Sequence, residues 1–444
     1  LEECEGMEIE LCTYESSSRL IEKIFKDSRK GACKWLESFM KIKKVTQLEI
    51  LCSGCACRCL ETLLFALSTS SDIQIIDQLS DLIVDCWSEL VVNQNASHFI
   101  RSFTRHLIGL PKLDLSNSKT TALVRNPDLK HSSNLDEMSS ILPSEWLHDE
   151  KALRKQFNQF NSTVGLKTIF TKIINLALDY NLMKDCINRE AVSLLMQELI
   201  EYDWFARTSK TTEMILKCLG DSEGSVLLQW QGKQSSRVWE VLVKRTSEDA
   251  RQSLYSSVLN GKLLELSLHS FANFVVGAFI SSAKSEELII DVFDELVNNL
   301  DQICEGEKWS VLKGLIKASS RYPEYQAALL KNLRSQFGSA QKSTRNAFLP
   351  NILTLNNAEM SEDETGKVKF NVENGTLHGS LMLQNLITLK HNKTLLFSFL
   401  SLSDETILQM TYNPKGSRVI QAFLQSKHID DTNKLQLANL LIVS

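Results

Sequence analysis

Residues 235–243 read SSRVWEVLV, and this short stretch decides how the whole chain is read. On a helix, Val238, Trp239 and Leu242 share one face, while Ser236 and Glu240, four apart, share another with Arg237 beside them. Taken singly it is an ordinary amphipathic helix. The pattern recurs as SSRLIEKIF from Ser17, ACRCLETLL from Ala56, ASHFIRSFT from Ala96 and AVSLLMQELI from Ala191. It returns as ANFVVGAFI from Ala272, HGSLMLQNLI from His378 and GSRVIQAFL from Gly416, with a weaker copy, WSVLKGLI, from Trp309. Setting the frame on the small residue gives Ser18, Cys57, Ser97, Ser193, Ser236, Asn273, Trp309, Ser380 and Ser417. Neighbouring frames lie 36 to 43 residues apart, save for steps of 96 after Ser97 and 71 after Trp309. A helical unit of that length cannot bury its apolar face alone and must stack on its neighbours. The fold class expected is all-α, a curved α-solenoid of helical repeats. The long steps leave room for degenerate repeats, expected in TIFTKIINLALDYNLM from Thr168 and around YQAALLKNLRSQF from Tyr325.

Composition points the same way. With 17 Gly and 6 Pro in 444 residues, the chain has too few turn residues for an all-β fold. Eleven cysteines are an odd number in a chain too long to need stapling, and the acidic opening LEECEGMEIELC is unlike a signal peptide. The thiols are therefore read as reduced and the protein as intracellular. CSGCACRC, residues 52–59, holds one Cys-x-x-Cys pair with no second pair or nearby His, so neither a metal site nor a cofactor is expected. Cys57 falls instead where other units carry Ser. No apolar run reaches the ~18 residues of a membrane span. The net charge of −5 gives no global basic field, so any nucleic-acid contact must rest on a local surface. HExxH, GxxxxGK[ST], GxSxG and GxGxxG are all absent, and no catalytic residue is expected. The first residue is Leu1, and the chain is expected to be part of a longer one.

Number the frame residue 1, the next 2, and the residue four beyond the first 5. The triplets at positions 1, 2 and 5 run Ser18, Arg19, Glu22; Cys57, Arg58, Glu61; Ser97, His98, Arg101; Ser193, Leu194, Gln197; and Ser236, Arg237, Glu240. They continue as Asn273, Phe274, Gly277; Trp309, Ser310, Lys313; Ser380, Leu381, Gln384; and Ser417, Arg418, Gln421. Stacked helices sit about 8–10 Å apart, wider than stacked bases, so a single strand along them splays its bases one per repeat. Each base edge then meets positions 1 and 5, and a planar side chain at position 2 stacks on the base face. Glutamate accepts from the N1–H and amino group of guanine. Glutamine, both donor and acceptor, suits adenine or uracil.

These triplets resemble the base-reading triplets of Pumilio (Puf) repeats, in which Ser-Arg-x-x-Glu implies guanine and Ser- or Cys-Arg-x-x-Gln implies adenine. The long step after the third unit, the ASH and GSR openings and the HGSLMLQNLI helix are similar to one branch, the nucleolar Puf-like proteins of small-subunit ribosome biogenesis. The resemblance runs from Gly6 to Leu424. It implies binding of single-stranded pre-ribosomal RNA around the 18S sequence by a nuclear, nucleolar monomer without catalysis, with pre-ribosomal proteins as further partners. Carried over, Glu22, Glu61 and Glu240 with their Ser or Cys and Arg partners read guanine, and Ser417, Arg418 and Gln421 read adenine. Ser97, His98, Arg101, Ser193, Gln197, Asn273, Phe274, Ser380 and Gln384 complete the RNA-binding set that the resemblance implies. Arg101, Gly277 and Lys313 depart from the code, and Leu194 and Leu381 replace the planar group.

The expected organisation is Puf-like repeats over 1–110, a mobile polar insertion over 111–150, central repeats over 151–355, an acidic insertion over 356–375 and C-terminal repeats over 376–444. Two plainer readings stand beside this one. Each Arg/Glu pair is also an ordinary i, i+3 ion pair worth ~0.2–0.5 kcal/mol, although its recurrence in frame weighs for function. The whole chain also fits a HEAT- or armadillo-like scaffold that binds protein. Such a scaffold has no reason to set Ser or Cys four residues from Glu or Gln with Arg between.

Overall fold

The computed structural model describes residues 7–26, 28–110, 158, 160–221 and 223–443. The polar insertion expected at 111–150 lies outside the described residues. All nine framed segments are helices, labelled here α1 (Glu15–Phe25), α2 (Gly54–Ala66), α3 (Gln94–Leu107), α4 (Glu190–Ala206), α5 (Ser235–Arg245), α6 (Ala272–Ser282), α7 (Trp309–Ser319), α8 (Leu377–Ile387) and α9 (Gly416–Gln425). Their starts are written in local chemistry: Asn93 caps α3 by accepting from the N–H of Asn95 and Ala96, and Thr376 caps α8 by accepting from that of Gly379. The two apolar residues after position 2 are buried in every framed helix except for Leu20 of α1. The threefold and fourfold spacing thus does what the pattern requires and turns position 2 outward.

The chain forms two compact units, Leu1–Ala250 and Arg251–Ser444. In the first, α1 packs on α2, α2 on α3, α3 on α4 and α4 on α5; in the second, α6, α7, α8 and α9 follow one another in the same way. Among the described residues, the two long steps therefore hide no framed repeat. Ser97 of α3 donates its hydroxyl to the Ala191 carbonyl at the start of α4, 2.9 Å away, so the two helices are direct neighbours. The helix expected to carry a degenerate repeat near Thr168, Val164–Ala177, lies in the second layer instead, against helix Ile73–Asp85. There Lys172 pairs with Asp77 and Asp81 at 2.8 and 2.9 Å. Likewise α7 packs directly on α8, and helix Gln326–Gln336 lies beside α7 and helix Leu300–Glu305 rather than between α7 and α8.

The acidic stretch 356–375 is ordered in a way its sequence did not announce. Strands β1 (Met360–Glu362) and β2 (Val368–Phe370) form an antiparallel hairpin. Val368 and Phe370 are buried, and Lys367 and Lys369 pair with Asp404 and Glu405 at 2.6 and 2.5 Å. The hairpin is thereby fastened to helix Asp404–Tyr412.

A bidentate ion pair also ties the second layer of the first unit. Arg29, at the start of helix Arg29–Lys41, grips Asp72 with two bonds of 2.8 Å, and Asp72 also accepts from the Ser68 N–H. Hydrogen bonding to Arg29 holds the Asp72 carboxyl down at about 2. A carboxyl depressed by folding adds stability above its unfolded value near 4, which is lost as the pH falls through about 2. Asp72→Asn is expected to lower the melting temperature at pH 7 by about 2–4 °C. The difference from the parent should shrink across that acid range, which thermal melts at a series of pH values will show.

Candidate nucleic-acid interface

The frame sorts its residues by exposure. At position 2, Arg19, Arg58 and Arg418 are exposed, while His98, Leu194, Arg237, Phe274, Ser310 and Leu381 are half-buried. Position 1 behaves in the opposite way: Ser18, Cys57, Ser97, Ser193, Ser236, Asn273 and Ser380 are all buried, Ser417 only partly. The side chains at position 1 have work of their own. Cys57 donates to Asn95 O (3.1 Å), Ser97 to Ala191 O, Ser193 to Gln234 O (2.9 Å) and Ser380 to Lys415 O (2.7 Å). Each acceptor lies at or next to the start of the following framed helix. At these four frames the small donor at position 1 is a tie between repeats, which explains why Cys stands in for Ser at Cys57. Ser18, Ser236 and Ser417 instead donate three residues back, to the carbonyls of Glu15, Lys233 and Pro414. Cys59 is tied similarly, its Sγ 3.3 Å from the Ser18 carbonyl. These bonds account for two of the sulfurs in CSGCACRC without a metal.

At position 5 the structure separates residues that look alike in sequence. The i, i+3 ion pairs give way to other partners: Arg19 turns to Glu15 at 2.6 Å, Arg58 reaches Glu22 of the preceding helix at 4.0 Å, and Glu240 meets Lys244 at 2.7 Å. Position 2 of one repeat thus lies over position 5 of the one before. The same diagonal recurs at α2 and α3, where His98 Nδ1 contacts Glu61 Oε1, to which Ser102 also donates at 3.0 Å. Glu61 is 2% exposed. Gln197 and Gln384 donate to the Ser193 and Ser380 hydroxyls of their own triplets at 3.1 and 3.2 Å, and Arg418 donates to Gln421 at 3.2 Å. These amides and carboxylates, carried on rigid neighbouring helices with planar groups over them, are the parts that reading base edges requires.

A description of the NOP9-like PUF repeat domain as a family matches residues 6–444. The chain belongs to that family. It is 28% identical over 292 residues to human Nucleolar protein 9, covering 62% of this chain and 45% of that protein. To Pumilio homolog 23 of Arabidopsis thaliana it is 27% identical over 203 residues, covering 45% and 27%. The chain spans less than half the length of these relatives. Among solved structures, APUM23 with its insert region deleted and GGAAUUGACGG superposes with a TM-score of 0.72 at 20% identity, covering 99% of this chain and 79% of that one. PUF-8 in complex with PBE-RNA gives 0.53 at 12% identity, with 95% and 92% covered. The fold is therefore that of Puf-repeat solenoids.

Two departures of this NOP9-like PUF domain from the code, Arg101 and Gly277, have visible causes. Arg101 donates from Nε to Glu198 at 2.5 Å. Glu198, fully buried, also accepts from Arg105 (3.0 Å) and from the Tyr202 hydroxyl, and Arg105 is itself 1% exposed. Burial disfavours charge on Glu198, yet Arg101 and Arg105 outweigh it and hold the carboxyl below its usual range. Gly277 is where α6 meets α7: a Cβ there would lie 2.5 Å from the Ser310 carbonyl oxygen, so no side chain fits. Asn273 spends its amide on the carbonyls of His269 and Ser270. Sequence reading missed Glu198, Arg105 and Tyr202. The available signal was a glutamate directly after position 5, where α5, α6 and α7 carry Val241, Ala278 and Gly314.

Proposed function

We propose that the chain is a sequence-selective single-stranded RNA-binding module whose first unit reads five successive bases. The observation that supports this is the direct packing of α1 to α5 in sequence order, which sets their position-5 groups in the series Glu22, Glu61, Arg101, Gln197, Glu240. Read by their donors and acceptors, these suit G, G, an unassigned base, A or U, and G. The sequence GGAAUUGACGG in the APUM23 structure contains one window that fits in either direction. It is the last five bases, GACGG, with the final G on Glu22 and the first on Glu240. The strand then runs antiparallel to the repeats. In the second unit, taken by itself, the neighbouring helices α8 and α9 present Gln384 and Gln421, which suit two adjacent adenines.

Position 2 supplies the stacking faces, from Arg19, Arg58, His98, Arg237, Phe274 and Arg418, and position 1 forms the floor beneath the base edges. The natural target is pre-ribosomal RNA around the 18S sequence. The work is small-subunit ribosome biogenesis in the nucleolus, as a monomer among pre-ribosomal proteins and without catalysis; the relatives called Nucleolar protein 9 support this location. The test is binding of GGAAUUGACGG against the same letters reversed, GGCAGUUAAGG, over a salt series. At least about tenfold preference for the first is expected. Equal affinity with a steep salt slope means backbone attraction alone. No binding to either returns the chain to the protein-scaffold reading.

A further inference from the structure

The second frame is closed in the free protein. Glu61 lies under the His98 ring, its Oε1 shared between His98 Nδ1 and the Ser102 hydroxyl, and it is almost fully removed from water. Guanine reaches this carboxylate only if the ring moves off. The ring itself is half-buried, and its second nitrogen, Nε2, is buried with no hydrogen-bond partner among the described residues. The closed arrangement therefore satisfies the carboxylate and leaves the imidazole half-satisfied. Glu22 under Arg58 is looser, at 4.0 Å with more of the carboxylate open to water.

From this contact we infer that His98 decides whether the second frame reads its base, acting as a specificity-determining residue toward the RNA of the proposed function, on which this inference rests. Guanine brings two donors, N1–H and its amino group, and so replaces the donor that His98 withdraws. The displaced ring then has a base face to stack on. Adenine, with a single amino donor and an acceptor at N1, does not replace it. When adenine lies opposite this frame, His98 stays closed on Glu61 and the carboxylate keeps its partner. The wrong base then meets a covered carboxylate instead of one that has lost the His98 donor and keeps that of Ser102. His98 thus makes this frame tolerant, where a bare Glu61 would be strict.

Binding constants of three strands test this: GGAAUUGACGG; GGAAUUGACAG, changed at the base opposite Glu61; and GGAAUUAACGG, changed opposite Glu240. His98→Ala removes the donor, and His98→Phe removes it while keeping a ring to stack. Stacking on the displaced ring favours the guanine strand, so His98→Ala also loses that gain, and His98→Phe, which keeps a ring, is the variant in which the ratio is read. In His98→Phe the preference for GGAAUUGACGG over GGAAUUGACAG should rise about tenfold, because the N1 acceptor of adenine now faces a carboxylate that has lost one of its donors. The preference over GGAAUUAACGG should not change. An unchanged or smaller ratio at the Glu61 base, with discrimination at the Glu240 base intact, overturns the inference alone. Absence of discrimination at both bases in every protein overturns the base-reading function and this inference with it.

Discussion

Glu198→Ala is expected to cost the chain about 3–5 kcal/mol of stability, the largest effect of any single change considered. The reason lies in what the substitution leaves behind. Arg105 is 1% exposed and bonds Glu198 and Tyr202 at 3.0 and 3.1 Å, and Arg101 leans on the other carboxylate oxygen. Removing the carboxylate takes the buried Arg105 guanidinium's charged partner away and leaves its bond to the Tyr202 phenol. Replacing the whole group is a different matter. With Arg105→Met, Glu198→Leu and Tyr202→Phe together, no buried charge is orphaned at those three sites and the loss should be far smaller. Urea unfolding of the two variants distinguishes the cases. A loss below about 1 kcal/mol in Glu198→Ala would mean that water reaches the cluster.

Gly277→Ala inverts an ordinary expectation. In an exposed helix, exchanging Gly for Ala gains about 1 kcal/mol. In α6 the new methyl would lie 2.5 Å from the carbonyl oxygen and side-chain oxygen of Ser310, and backbone cannot rotate away. Gly314 faces the same seam from α7, where a Cβ would stand 2.7 Å from the Gly277 oxygen. The two helices would have to separate, so a net loss of about 1–3 kcal/mol is expected in spite of the propensity gain. A melting temperature equal to or above the parent's would show that the seam can open freely.

The repeats were legible because a helical period needs no knowledge of neighbours: SSRVWEVLV and its copies each state which face is buried. Their spacing was less informative. A step of 96 residues says how much chain lies between Ser97 and Ser193, not which layer it occupies, and here the intervening helix Val164–Ala177 joined the second layer. The choice of Ser or Cys at position 1 was visible, but its tie to the next repeat's carbonyl appears only once repeats are stacked. The same holds for Glu61, whose letter matches Glu22 and Glu240 while its surroundings do not. Gly277 read as a missing contact and proves to be a helix seam. The VKF strand is three residues long, too short for alternation to be noticed.

The most direct test of the account is an exchange at Glu240. Glu240→Gln should transfer the preference at one nucleotide only, from GGAAUUGACGG to GGAAUUAACGG, as the carboxylate that takes two donors becomes an amide that gives one and takes one. A swing in the ratio of the two binding constants of about tenfold or more is expected, with the terminal guanines still required. Equal weakening of both strands, or a change of preference at any other nucleotide, would contradict the register, the strand direction and the reading of bases by these helices.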